Sequence, residues 1–187
     1  LCSDPAWRRG FARLAPNGLS FEAWLYHPQL PELIELARAF PNTTIIVNHL
    51  AGPLGAGSYA ARRDEVLADW RRGIAELARC PNVLMKLGGP AMHMFGFGWH
   101  KLPAPPGSDR IVADAGHLIR AAIDAFSPSR CMFESNFPVD RAGCSYPVLW
   151  NAFKKMAACY SASERNDLFC NTATRAYRLP QYLQRAP

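Results

Sequence analysis

The sequence lacks an apolar run of the ~18–20 residues that a membrane-spanning helix needs, so we expect no membrane partner. The opening residues lack the apolar core of a signal peptide and begin with Leu1 instead of Met, which indicates a chain entered part-way. The six cysteines include no C-x-x-C pair, the spacing of many zinc and redox sites. We interpret them as reduced thiols and expect a cytoplasmic protein.

Lysine is also scarce. Only four of the 21 basic residues are lysines, and the net charge of +6 depends on arginine. The arginine pairs at 62–63 and 71–72 are interspersed with acidic residues, which indicates a solvated helix face rather than a stripe that follows phosphates. We therefore expect no nucleic-acid partner. The composition, 49% hydrophobic and 19% charged, is that of a folded globular chain. It does not fix the oligomeric state, and a homo-oligomer stays open.

Short hydrophobic runs alternate with amphipathic stretches along the chain. The patterns predict strands at 19–26, 43–47, 82–87 and 130–134, and helices at about 31–40, 60–78, 108–126, 147–159 and 162–177. Ser108 resembles a helix N-cap. Repeated strand-then-helix units predict an α/β fold with a parallel sheet, either an open doubly wound sheet or part of a (β/α)8 barrel. The chain lacks the G-x-G-x-x-G loop and the P-loop that an open nucleotide-binding sheet usually carries.

Polar side chains follow the predicted strands. Tyr26-His27 ends the first, Asn48-His49 ends the second, and both ends lie at one edge of a parallel sheet. The two imidazoles could share a metal ion, or one could be a general base. The alternative is that each histidine caps a loop through hydrogen bonds.

The later strands carry further candidates. Strand alternation places Glu134 and Asn136 on one side of the fourth strand. Glu134 and Asp140 could each supply a catalytic carboxylate. The alternatives are a salt-bridged structural group for Glu134 and a loop cap for Asp140, and for Asp140 we favour the cap. Lys86 could contact a substrate anion or extend to solvent. The irregular stretch 91–107, rich in Met, Phe and Trp, could cover a substrate pocket or pack on the mouth of a barrel.

Three sequence motifs follow one another along the chain: YHPQLPELIELARAFPNTTIIVNHLAGP, CPNVLMKLGG and RCMFESNFPVD. Together they resemble the C-terminal half of the amidohydrolase-related (amidohydrolase 2) metal-dependent hydrolases, in the branch of the sugar lactonases. The resemblance covers about residues 14–179. It implies a (β/α)8 TIM barrel, of which this chain holds about four βα units, strands 5 to 8, plus C-terminal helices. Because such a barrel needs ~250 residues, we expect residues 1–187 to form a single, N-terminally truncated domain that is inactive alone.

The resemblance also implies a site. His27 and His49 match the family histidines that follow the fifth and sixth strands and bind a divalent metal ion, zinc or manganese. Asn136 stands where the family has an aspartate that binds the metal and moves the proton of the attacking water. An amide can orient water but cannot carry that proton, so general-base work would pass to His49, Glu134 or a residue outside this chain. Metal-independent catalysis stays open, because some lactonases of this branch use no metal.

The implied reaction is the hydrolysis of a lactone, ester or amide bond in a small, anionic molecule by activated water. Lys86 and Tyr26 are the expected substrate-binding residues, with Lys86 on the carboxylate or on the polarised carbonyl. Two alternatives stay open. Related barrels perform non-oxidative decarboxylation at the same edge, and a non-catalytic scaffold would result if Asn136 has abolished proton transfer.

Overall fold

The computed structural model describes residues 2–180, and its centre is a four-stranded parallel sheet. The strands lie side by side in chain order: β1 (Phe21–Ala23), β2 (Ile45–Val47), β3 (Val83–Leu87) and β4 (Cys131–Phe133). Ala23 pairs with Val47 and Val47 with Met85, and Leu87 pairs with Phe133. The predicted α/β fold is confirmed. Residue 1 and residues 181–187, which the predicted domain includes, lie outside the described part.

One helix precedes β1, and the other helices of the described residues come after it in the chain. The helices are α1 (Pro5–Phe11), α2 (Leu30–Ala39), α3 (Arg63–Leu77), α4 (Ser108–Phe126), α5 (Tyr146–Ala157), α6 (Ala162–Asn166) and α7 (Thr172–Tyr177). A π-helical turn over Asp167–Asn171 joins α6 to α7. Within residues 2–180, no helix has both the length and the apolarity to cross a membrane. The six cysteines are free thiols, as predicted.

The two faces of the sheet differ in character. Alternate strand residues point toward the helices and form the buried core, including Ile45, Val47 and Met85. The other face presents mixed side chains, and on it Glu22 is in register with Ile46, and Lys86 with Met132. In a closed barrel this second face is the interior. Polar groups on it therefore lie below the edge where a barrel site forms.

Several predicted strands and helices are shorter in the structure than expected. β1 ends at Ala23, not at residue 26, because a short 3-10 turn begins at His27 and the Tyr26 backbone N–H donates to Gln29 Oε1. α3 begins at Arg63, not at residue 60, because the preceding segment Gly57–Arg62 forms a separate 3-10 turn. Local apolar content predicted the elements but not where backbone pairing stops.

The expected Ser108 cap was wrong. Gly107 occupies the N-cap position of α4 and makes no side-chain cap bond. The Ser108 hydroxyl accepts instead from Lys155 Nζ on α5, at 2.9 Å. The irregular stretch 91–107 contains two short 3-10 turns, His93–Phe95 and Trp99–Lys101.

Candidate active site

His49 lies in a strained turn at the carboxyl end of β2. His49, Leu50 and Ala51 have φ values of +52°, +57° and +53°, in the left-handed region that residues with a side chain rarely adopt. The indole Nε1 of Trp70 donates to the Leu50 carbonyl oxygen at 2.6 Å, and the His49 backbone N–H donates to Glu134 Oε1 at 3.3 Å. Because Leu50 and Ala51 are also fully buried, the surroundings hold the backbone of the turn that carries the His49 ring.

Glu134 follows β4 and lies against the His49 imidazole. Its Oε1 contacts Nδ1, and the two side chains are only 17% and 14% exposed. The contact is close but not aligned as a hydrogen bond, since Nδ1 finds no aligned partner within residues 2–180. The Trp24 indole packs edge-on against the same ring, with centroids 4.7 Å apart. A carboxylate beside Nδ1 favours a proton on that nitrogen and leaves Nε2 able to accept one.

Lys86 links this pair to the inner face of the sheet. Its Nζ lies 2.9 Å from Glu22 Oε2 and 3.5 Å from Glu134 Oε2, and Tyr177 Oη donates to Glu22 Oε1 at 2.7 Å. Burial opposes the charge of Lys86, but the hydrogen bonds to Glu22 and Tyr177 outweigh it and raise its pKa. Burial and the hydrogen bond to Glu22 raise the pKa of Tyr177 to about 12. Lys86 is therefore a charged group that the protein's own carboxylates already neutralise.

Besides the His49–Glu134 pair, which we call the dyad, Asn136 and Asp140 form a second pair of side chains. Asn136 has a φ of +51°, and its Nδ2 donates to Asp140 Oδ1 at 2.8 Å. Asp140 is fully buried, and its Oδ2 accepts from the Ala91 N–H at 3.4 Å. Burial raises the pKa of Asp140 to about 6. Asp140 thus caps a backbone N–H, as interpreted from the sequence, and it also binds Asn136. Strand alternation does not govern Asn136, because β4 ends at Phe133.

An aromatic row extends from the dyad along the edge of β1. Tyr26 packs edge-on against Trp24, with centroids 5.4 Å apart, and Trp24 in turn contacts His49. Trp24, Glu22 and Tyr177 were not among the site residues predicted from the sequence. A period of two along residues 22, 24 and 26 of the predicted strand was the available signal for the first two of these, although β1 itself ends at Ala23. Tyr177 had no such signal, because it reaches the sheet from α7.

Comparison with known proteins identifies the family. The family model described as "Amidohydrolase" matches residues 2–179. The chain belongs to the amidohydrolase family. It is 38% identical over 175 residues, 94% of its length, to the uncharacterised protein y4mH of Sinorhizobium fredii. It is 30% identical over 182 residues, 95% of its length, to a protein of Burkholderia multivorans named L-fucono-1,5-lactonase. The chain spans about half the length of these relatives, 52% and 57% respectively.

Solved amidohydrolase structures share the fold. An amidohydrolase from Burkholderia multivorans crystallised with bound HEPES matches 96% of this chain and 60% of its own, with a TM-score of 0.83 and 29% identity. A second crystal form, with bound zinc, matches with a TM-score of 0.81 and 29% identity, over 96% of this chain and 59% of its own. The four βα units therefore correspond to part of an amidohydrolase TIM barrel, as predicted.

Within this amidohydrolase chain, His27 and His49 have separate surroundings. His27 Nδ1 accepts from the Leu54 N–H at 3.4 Å, and its ring packs edge-on against Tyr59 at 5.4 Å. Burial lowers the pKa of His27. The ring lines a cavity of about 540 Å³ whose other walls come from α2, α3 and the adjoining turns: Pro28, Leu30, Pro31, Tyr59, Arg62, Asp69, Arg72 and Gly73. No ring contact or hydrogen bond joins His27 to His49 in the described part of the chain.

The described residues of this amidohydrolase do not by themselves fit a metal ion. Within residues 2–180 no three His, Cys, Asp or Glu side chains form a group that could hold one. A catalytic zinc ion takes three protein ligands, whereas here one imidazole meets one carboxylate, that of Glu134. Lys86 already pairs with that carboxylate and with the further carboxylate of Glu22. Asn136 turns its Nδ2 toward Asp140.

Proposed function

We propose that the enzyme containing this chain hydrolyses a neutral lactone of a small polyhydroxy acid. The observation that carries the proposal is the His49–Glu134 dyad at the carboxyl edge of the sheet, where barrel enzymes place their reacting groups. The chain belongs to the amidohydrolase family, and one relative over 95% of its length is named L-fucono-1,5-lactonase.

The dyad suits attack by water. Nε2 of His49 accepts a proton as the water oxygen bonds to the lactone carbonyl carbon, while the Glu134 carboxylate beside Nδ1 stabilises the imidazolium. The bond between that carbon and the ring oxygen then breaks, and the departing oxygen takes the proton from the imidazolium. The product is the open hydroxy acid, and His49 returns to its neutral form.

The charges around the dyad favour a neutral substrate over the anionic one expected from the sequence. Glu22 and Glu134 contribute two carboxylates, and Lys86 contributes one ammonium that already contacts both. An anionic substrate would have to compete with those carboxylates for Lys86. The Trp24 indole is 46% exposed and lies next to the Tyr26 ring. The apolar side of a sugar-like ring can pack on these aromatic faces.

The test is a hydrolysis assay on the intact enzyme. A pH indicator follows acid release from 1,5- and 1,4-lactones of six-carbon sugar acids, with pyrone dicarboxylate as the anionic comparator. We expect the neutral lactones to be preferred by about tenfold or more in kcat/KM. His49→Asn should lower kcat by ~10²–10⁴-fold, whereas the matched control His117→Asn, in α4, should leave it unchanged. Full turnover by His49→Asn would remove the site assignment.

A non-catalytic scaffold is the second candidate, and Asn136 is the observation that favours it, because an amide cannot carry a proton. Absence of turnover on every lactone by a folded, intact protein would support this candidate. Product analysis separates hydrolysis from decarboxylation, since the first yields only the ring-opened acid and the second releases carbon dioxide.

A further inference from the structure

Asp140 is a buried carboxylate without a basic partner. No lysine or arginine within the described residues forms an ion pair with it, and its side-chain oxygens are held by the Asn136 amide at 2.8 Å and the Ala91 N–H at 3.4 Å. Removing a carboxylate from water without a cation is costly. The fold thus maintains an unfavourable group four residues after Asn136. Its partner Ala91 lies two residues after Gly89, where an added methyl carbon would be 3.0 Å from Cβ and Cγ of His49.

The hydrogen bond between Asn136 and Asp140 has a defined direction. An ionised carboxylate can only accept, so the Asn136 amide must present its NH₂ group to Asp140 and turn its carbonyl oxygen the other way. Within residues 2–180, no donor occupies that carbonyl oxygen. Asn136 is only partly buried, and its left-handed backbone restricts where the side chain can point. The pair therefore holds one free hydrogen-bond acceptor in a fixed orientation.

We propose that Asp140 is a positioning residue, which fixes the Asn136 amide so that its Oδ1 accepts a hydrogen bond from the attacking water. The inference depends on the proposed lactone hydrolysis. A water molecule has two hydrogens. If one is directed to His49 Nε2 and the other to Asn136 Oδ1, a lone pair of the oxygen is left for the carbonyl carbon. An amide turned the other way would donate to the water and compete for that lone pair.

The second oxygen of Asp140 extends the effect to the stretch 91–107. By accepting from the Ala91 N–H, the carboxylate ties the segment after β3 to the turn after β4. The stretch also lines, with Val139 and Ala142, a cavity of about 420 Å³. One buried carboxylate therefore holds both the Asn136 amide and the first residue of this stretch.

The experiment uses an exchange of the two side chains in the intact enzyme. Asp140→Asn keeps the shape but has one oxygen for two donors, so either Ala91 or Asn136 loses its acceptor. We expect kcat to fall by about tenfold or more while KM changes by less than about threefold. The double variant Asn136→Asp with Asp140→Asn restores the hydrogen bond in the reverse direction and again places an acceptor oxygen at 136, so kcat should recover to within about threefold of wild type.

The matched control is Asp114→Asn. Asp114 accepts from Trp99 Nε1 at 2.8 Å and from Arg110 Nε at 2.7 Å, and so ties the same stretch to α4. Within the described residues it has no hydrogen bond to Asn136. This variant should change the melting temperature without changing kcat by more than about twofold.

The possible outcomes are distinct. An active wild type whose Asp140→Asn variant keeps its kcat overturns the positioning role alone. If Asp140→Asn loses kcat, the double variant does not recover it, and both losses parallel a lower melting temperature, the role of Asp140 is purely structural. That result also overturns the positioning role. A folded wild type without lactone turnover overturns the proposed function and this inference together. If Asp140→Asn fails to fold, the double variant is compared with Asp114→Asn. A kcat within about threefold of wild type supports the positioning role. A larger loss in the double variant, while Asp114→Asn keeps its kcat, overturns it.

Discussion

Lys86 and Glu22 form an ion pair that crosses the sheet. Lys86 lies on β3 and Glu22 on β1, and Nζ reaches Oε2 at 2.9 Å over the intervening strand β2. Ile46, the β2 residue in register with Glu22, is fully buried on this face. The same ammonium lies 3.5 Å from Glu134 Oε2, so one cation separates two carboxylates that would otherwise repel each other beside His49.

Lys86→Met should destabilise the chain. The substitution leaves the carboxylates of Glu22 and Glu134 uncompensated on a half-buried surface. Breaking a fully buried pair costs ~3–5 kcal/mol, and the partial exposure of Glu22 reduces this to about 1–3 kcal/mol of the free energy of unfolding at pH 7. Urea denaturation measures the loss. Lys101→Met, which changes an exposed lysine, is the control and should alter the free energy by less than about 0.5 kcal/mol.

The same variant has a predictable pH dependence. Burial opposes ionisation of Glu22, but the hydrogen bond from Lys86 lowers its pKa below the ordinary value. A carboxylate with a lowered folded-state pKa contributes stability above its ordinary pKa and loses it as the pH falls through the lowered one. The difference between wild type and Lys86→Met should therefore be largest near pH 7 and shrink below about pH 4. A difference that stays constant over this range would contradict the pairing.

The order of elements and one half of the site were predictable because both depend on local patterns. Apolar runs such as Ile45–Val47 predict buried strands, and parallel strands in sequence bring their carboxyl ends to one edge. That rule alone placed His49 and Glu134 on the same edge, and the structure brings them into contact.

The remaining features depend on geometry that the sequence pattern does not contain. His27 was expected beside His49, but β1 ends four residues earlier, and the 3-10 turn His27–Gln29 carries the ring to a cavity beside α2 and α3. Asp140 could be interpreted as a cap, but its bond to Asn136 follows from the left-handed backbone of Asn136 and from complete burial. Neither property can be inferred from residue type and spacing.

Trp70→Phe should loosen the turn that aims His49. Trp70 is fully buried, and its Nε1 donates to the Leu50 carbonyl oxygen at 2.6 Å. Phenylalanine removes the donor, leaves a buried carbonyl unpaired and reduces the packed volume, which together cost about 2–4 kcal/mol. If lactone hydrolysis is the reaction, kcat should also fall, because the strained turn loses a support. Thermal denaturation and the lactone assay measure the two effects.

Trp150→Phe is the matched control for that substitution. The Nε1 of Trp150 is also buried, but it has no hydrogen-bond partner within the described residues. Its replacement therefore removes volume and an unpaired donor but breaks no hydrogen bond, so we expect a loss below about 1 kcal/mol and an unchanged kcat. Equal losses for the two variants would show that the bond to Leu50 contributes nothing.

Gly89→Ala should displace the His49 ring. Gly89 has a φ of +72°, and an added methyl carbon would lie 3.0 Å from both Cβ and Cγ of His49 and 2.6 Å from Cε of Met92. Met92 can move its flexible end, but the His49 ring is held by its turn, so the clash falls on the dyad. If lactone hydrolysis is the reaction, we expect kcat of the intact enzyme to fall by about tenfold or more, because small misplacements of a reacting group have large effects.

Gly98→Ala separates that clash from backbone strain. Gly98 has a similar φ of +69°, but an added methyl group meets nothing within 4 Å. Both variants should lose ~1 kcal/mol of unfolding free energy from forcing alanine into the left-handed region, whereas only Gly89→Ala should lose activity. Because the strain is common to both, any excess loss of kcat in Gly89→Ala measures the contact with His49. Equal kcat values in the two variants would mean that the position of the His49 ring does not limit the reaction.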